Sequence, residues 1–150
     1  MEKNTYSKCI GYKHKEHTAD VLIESVGRTL EEAFEQAGIA VYEVITDTSK
    51  VYPVTRVDID IEGDDLENLL YKWIEELLIY TDSEGLVFSR FTVCRIEEVN
   101  GKYRITSSAW GEQFNPEKHE ERTIVKAMTY AQMEIERKDK CWRLQFVVDI

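Results

Sequence analysis

Val57-Asp-Ile-Asp-Ile-Glu-Gly-Asp-Asp-Leu-Glu-Asn-Leu-Leu-Tyr-Lys-Trp-Ile-Glu-Glu-Leu-Leu78 changes its period halfway along. Up to Glu62 apolar and acidic residues alternate, so Val57, Ile59 and Ile61 share one face and Asp58, Asp60 and Glu62 the other, as in a half-buried strand. From Asp64-Asp65 the apolar residues return at three and four instead: Leu66, Leu69, Leu70, Trp73, Ile74, Leu77 and Leu78. That spacing predicts an amphipathic helix, with Glu67 in the first turn where a carboxylate suits the helix dipole. It should stop near Tyr80, before Asp82-Ser-Glu-Gly85. A strand with one apolar face, feeding a helix with one apolar stripe, asks for an α+β layer arrangement.

The flanking sequence agrees. Thr29-Leu-Glu-Glu32 is a capping box, followed by Leu30, Ala33, Phe34, Ala37, Ala40, Val41, Val44 and Ile45, which predicts a helix over 29–46. After Gly85 the chain turns to strands. Residues 86–98 and 102–110 flank Asn100-Gly101, a hairpin signal because Asn and Gly tolerate positive φ. Residues 124–137 and 141–149 flank Lys138-Asp139-Lys140 as a last hairpin, and Gly111 to His119 reads as a loop with a helical turn after Pro116. The expected fold is a largely antiparallel sheet of about six or seven strands covered on one face by two helices, in one domain spanning 1–150.

Composition narrows the function. With 150 residues, 43% hydrophobic and 32% charged, the chain can bury one real core. It has no apolar run of bilayer length, and its amino terminus lacks a signal-peptide stretch, so a soluble, cytoplasmic protein is expected. Cys9, Cys94 and Cys141 are odd in number and widely spaced, which argues against a disulfide framework and for packing roles. A net charge of −10 opposes direct tight binding to nucleic acid. The run Lys118, Arg122, Lys126, Arg137, Lys138, Lys140 and Arg143 leaves room for a local basic patch.

The two ends of the chain hold the site candidates. Trp142, Leu144, Phe146, Val148 and Ile150 share one strand parity, and Asp149 takes the other, beside the main-chain carboxylate of Ile150. Two anions so placed repel unless a cation or donor sits between them. Asp20 has the parity opposite to Val21 and Ile23, so it faces the polar side with Asp149 if the terminal strands meet. Asp20, Asp149 and the Ile150 carboxylate are the hard oxygen ligands that Ca²⁺ or Mg²⁺ prefers. His17 with Asp20 offers an acid/base pair, but no nucleophile or oxyanion motif accompanies it. Cys9, His14 and His17 lack a fourth zinc ligand. Asp58, Asp60, Glu62, Asp64 and Asp65 lack the Gly and terminal Glu of an EF-hand, so strand solvation and helix capping explain them better.

His17-Thr-Ala-Asp-Val21, Thr29-Leu-Glu-Glu-Ala-Phe34, Gly111-Glu112 through Pro116-Glu-Lys-His119, Ile124-Val-Lys-Ala-Met-Thr-Tyr130 and Val148-Asp149-Ile150 follow one another in an order that resembles the archease family over nearly the whole chain. The resemblance implies one strand-helix-strand-strand unit inserted in another. It implies a small protein cofactor of the RtcB-type tRNA-splicing RNA ligase, speeding the guanylation of that ligase by GTP and allowing multiple turnover without being an enzyme itself. It also implies a divalent ion, commonly calcium, held by Asp20, Asp149 and Ile150, and a contact to the ligase or its nucleotide through Lys126, with His17 a further contact. Three positions depart from the family pattern. Ala131 stands where members often carry His, whose part would fall to His17 or His119 if it is needed, and Lys15-Glu16 stand where a more apolar residue and an Asp are usual. The competing classes are a metal-dependent phosphate-processing hydrolase built on Asp20 and His17, and a chaperone or modulator of an RNA-modifying protein.

Overall fold

The computed structural model describes residues 2–4, as backbone, and 9–150. Its elements run β1 (Glu2–Asn4), β2 (Gly11–Glu16), β3 (Asp20–Gly27), α1 (Leu30–Ile45), β4 (Thr55–Gly63), α2 (Leu66–Glu84), β5 (Leu86–Val99), β6 (Lys102–Gln113), β7 (Ala127–Met128), β8 (Glu134–Lys138) and β9 (Cys141–Asp149). The expected α+β class with two helices and antiparallel strands is what forms. The strands divide into two sheets, one ordered β1-β2-β3-β9-β7 with β8 also on β9, the other ordered β4-β6-β5. Each helix touches both sheets: α1 packs on β3 and β5, α2 on β4 and β7.

The caps work as their chemistry suggests. Thr29 Oγ1 accepts the Glu32 N–H at 3.1 Å, and Asp65 Oδ1 accepts the Asn68 N–H at 2.7 Å. The second helix runs to Glu84, beyond the expected stop at Tyr80, because Thr81 to Glu84 continue the turn until Gly85 ends it in the left-handed region at φ 71. Between the sheets lie Phe34, Tyr42, Trp73, Phe88 and Phe146, all fully buried or nearly so. Each such side chain contributes about 1.5–3 kcal/mol of apolar burial. The buried Tyr42 hydroxyl donates to the Leu77 carbonyl at 3.0 Å and meets Thr81 Oγ1 at 2.6 Å, fastening α1 to α2.

Two expectations need correction. Residues 124–137 are not one strand: β7 and β8 are separated by a turn at 129–133 in which Gln132 takes φ 54, a conformation no continuous strand admits. Cys9 and Cys141 are not plain packing residues, because they form a disulfide with Cα atoms 5.7 Å apart, leaving Cys94 free and exposed. Three members of the basic run are taken up in ion pairs. Lys118 pairs with Glu112, Arg122 with Glu43 and Glu120, and Arg143 with Glu24, Glu134 and Glu136. Among the described residues no helix is long and apolar enough to cross a membrane.

Candidate metal centre at the carboxyl-terminal tip

Strand β3 pairs antiparallel with β9 in a register that puts Val21 opposite Val148, Ile23 opposite Phe146 and Asp20 opposite Asp149. Burying Val21, Ile23, Phe146 and Val148 on one face fixes that register, since a slip of one residue would turn all four to solvent. Asp20 and Asp149 are therefore direct cross-strand neighbours on the other face, with Cβ atoms about 5 Å apart in such a pair. Three main-chain hydrogen bonds hold this end. The Ile150 N–H donates to the Ala19 carbonyl at 3.1 Å, Lys126 N–H to Asp149 carbonyl at 2.8 Å, and His17 N–H to Asp20 carbonyl at 2.9 Å. The carboxyl terminus is thus tied down on both sides, where chain ends ordinarily fray.

No protein donor among the described residues reaches the side-chain oxygens of Asp20 or Asp149. Like charges directly opposite one another destabilise a ladder. Among the described residues no three His, Cys, Asp or Glu side chains converge. The oxygens that follow Asp149 along the chain are those of Ile150. Two carboxylate side chains and a terminal carboxylate fit a hard divalent ion such as Ca²⁺.

An aromatic pair that the sequence did not disclose stands beside the tip. Tyr71 of α2 and Tyr130 stack with centroids 4.4 Å apart, and Asn68 Nδ2 donates to the Tyr130 hydroxyl at 2.8 Å. Burial raises the Tyr71 phenol above its ordinary value, and the negative charges of Glu75 and Asp149 add to the effect. Glu75 Oε1 in turn accepts the Met128 N–H at 2.7 Å. Tyr71 and Tyr130 are 59 residues apart, so no local pattern signals the pair.

The other expected site residues scatter. His17 is exposed in the turn before Asp20. Lys126 is exposed and lines an apolar hollow of about 600 Å³ together with Ile150, Phe114 and Ile124. His14 is buried and donates from Nε2 to the Ala40 carbonyl at 2.8 Å, while Cys9 is in the disulfide, so the zinc set of Cys9, His14 and His17 does not form. Ala131 lies exposed in the turn between β7 and β8. His119 does not take the place of a His there. It is buried, with Nε2 3.1 Å from Glu112 Oε2, and its Nδ1 accepts the Asn115 N–H at 2.9 Å. Glu112 Oε2 also accepts from the Tyr52 N–H and from Lys118 Nζ, each at 2.6 Å. Burial alone would raise the Glu112 carboxyl, but these three donors outweigh it and bring it down to about 2. The Gly111 to His119 segment is a structural lock, and a Cβ on Gly111 would collide with the Val87 carbonyl.

The comparisons with known proteins are consistent. The model of the archease protein family matches residues 12–150. A protein archease of Aeropyrum pernix is 64% identical over 143 residues, covering 95% of this chain and 99% of its own length. One from Pyrococcus furiosus is 50% identical over 140 residues, covering 93% and 98%. The solution structure of protein 1598 of Methanobacterium thermoautotrophicum superposes with a TM-score of 0.81 at 38% identity, over 93% of this chain and 99% of that one. A crystal structure from Thermotoga maritima, described as an archease and possible chaperone, has a TM-score of 0.57 at 21% identity over 91% and 94%, a likeness of fold alone.

Proposed function

The chain belongs to the archease family, and on that premise we propose that it is a protein activator of an RtcB-type RNA-splicing ligase rather than an enzyme. It promotes guanylation of the ligase by GTP and so supports multiple turnover in tRNA splicing. The observation that carries this reading is the opposition of Asp20 and Asp149 across β3 and β9, two carboxylates without a side-chain donor among the described residues, beside an Ile150 whose N–H is held in the sheet.

Asp20, Asp149 and the Ile150 carboxylate would hold a divalent cation, which when bound supplies positive charge that relieves their repulsion. The chain's own contribution is positional. The Ala19 and Lys126 hydrogen bonds keep the last two residues in the sheet, and Lys126 stands next to them, without an ion pair among the described residues, for an anionic group of the partner. Docking of this tip shifts the ligase toward its guanylation-competent state by its differential affinity for that state.

The test is guanylation at limiting ligase with wild type, Asp149→Ala and a chain lacking Ile150, alongside calorimetric titration with Ca²⁺. Stimulation and Ca²⁺ binding should both be lost in the variants while the unfolding temperature in the absence of metal stays put. Normal stimulation by Asp149→Ala would rule out the tip as the active surface.

A further inference from the structure

The two edges of the three-stranded sheet are treated differently. On the β5 edge, the N–H groups of Val93 and Ile96 turn away from β6 and donate to Glu35 Oε2 at 2.8 Å and Glu31 Oε2 at 3.0 Å. That edge is closed by α1. Val93 lies opposite Ser107 and Ile96 opposite Ile105, so Ser107 and Ile105 must direct their main-chain groups to the other side, at Ile59 and Ile61 of β4. Alternation then turns the N–H and C=O groups of Asp58, Asp60 and Glu62 outward. Among the described residues only one of these finds a partner, the Glu62 carbonyl, which accepts from Lys72 Nζ at 3.2 Å. A nine-residue edge strand is left with a row of open hydrogen-bonding groups.

Beside that row lies a groove of about 710 Å³ between β4 and α2, walled by Ile61, Glu62, Tyr71, Lys72, Glu75 and Glu76. Arg104 neutralises Asp60 across the sheet, with Nε and Nη2 at 2.8 and 3.0 Å from its two oxygens. Glu62, Glu75 and Glu76 remain against the single charge of Lys72.

We propose that β4 accepts an extended, basic segment of a partner protein as a fourth strand, seated in this groove. Main-chain pairing gives such an added strand its affinity, and alternate side chains give it its specificity. Asp58 and Asp60 are already paired with Arg56 and Arg104, so it is the residue of the incoming strand facing Glu62, beside Glu75 and Glu76, that is Lys or Arg, because opposite charges across a ladder attract and like charges repel. The intervening residues share the inner face of Ile59 and Ile61 and are apolar, meeting Tyr71. The charged edge keeps the free chain from pairing with itself, since a second copy of β4 would bring its own carboxylates opposite these. The assignment is independent of which partner supplies the segment, and so of the ligase reading.

The probe is a fluorescent nine-residue peptide alternating Lys and Val, with a Glu and Val peptide as control. Asp60→Pro removes an outward N–H and no main-chain bond within the sheet, while Asp60→Ala loses the same carboxylate and its Arg104 pair but keeps the N–H, so the difference between the two variants isolates the outward N–H. The expected result is saturable binding of the Lys peptide to wild type, weakened at least about tenfold by Asp60→Pro and about threefold by Asp60→Ala. Slowed amide exchange at Asp58, Asp60 and Glu62 in wild type gives the same answer without a variant. Absence of binding at millimolar peptide, equal binding of the Glu peptide, or full binding by a folded Asp60→Pro overturns the proposal. So does a wild-type dimer in sedimentation that Asp60→Pro dissolves, which would make the occupant a second copy.

Discussion

Two carboxylate sites in this molecule sit in opposite chemical situations. Glu112 accepts from the Tyr52 N–H, Lys118 and His119, whereas Asp20 and Asp149 face one another with no donor to their side chains among the described residues. The first arrangement is finished within the chain and stabilises it. The second has no such donor among the described residues, and two like charges so placed repel. A carboxylate that lacks its donors is thus a better pointer to function than one that carries a large pKa shift, because the shift at Glu112 reports a lock.

The largest expected effect breaks the finished site. Glu112→Ala strands a buried imidazole and a main-chain N–H, and should lower unfolding free energy by about 3 kcal/mol in denaturant titrations, with Ca²⁺ affinity unchanged. Completing the other site should have a nearly equal effect of opposite sign. Ca²⁺ at a hundred times its dissociation constant should stabilise wild type by about 2.7 kcal/mol, read as a rise in unfolding temperature that chelator reverses and Asp20→Asn abolishes. A loss of that rise in Glu112→Ala would mean that the two regions are coupled.

Acid provides the third comparison. The Glu112 carboxyl is depressed in the folded chain from 4.5 to about 2, so its stabilising contribution is complete above pH 4.5 and fades as pH falls toward 2. The stability gap between wild type and Glu112→Gln should be about 2 kcal/mol at pH 7, after allowance for solvent screening, and should close across that window. A gap independent of pH would assign the role of Glu112 to packing. The smallest effect is at the tip without metal. Asp149→Asn should change stability by less than about 0.5 kcal/mol, and upward, because it relieves a like-charge pair. A clear loss would show that the pair is already satisfied.

Much of this contrast could be read from the chain alone. The parity of Asp149 against Phe146 and Val148, and of Asp20 against Val21 and Ile23, is a local property of strands, so the two acids were legible as outward-facing before any fold was known. The caps at Thr29 and Asp65 were legible for the same reason, since a cap is made with the next three residues. Where the reading failed, a distant contact decided. Ile124 to Arg137 has strand-like residues, but only Ala127–Met128 and Glu134–Lys138 find room along β9, and the intervening turn departs from it. The cysteines looked unpaired because Cys9 and Cys141 lie 132 residues apart. The turn-like run Asp82-Ser-Glu-Gly85 puts the end of α2 near Tyr80, but the left-handed Gly85 is the stronger stop.

By itself, then, the sequence determined the periods, the caps, the faces and the family, all of which depend on neighbours within a few residues or on the order of motifs. Only the tertiary structure decided that Asp20 meets Asp149, that Glu112 takes a donor from Tyr52, that Tyr71 stacks on Tyr130, and that one sheet edge is closed by α1 while the other stays open. Those are pairings between segments separated by tens of residues. Their register is set by which apolar faces bury together, a property of the assembled core that no local stretch of the chain contains.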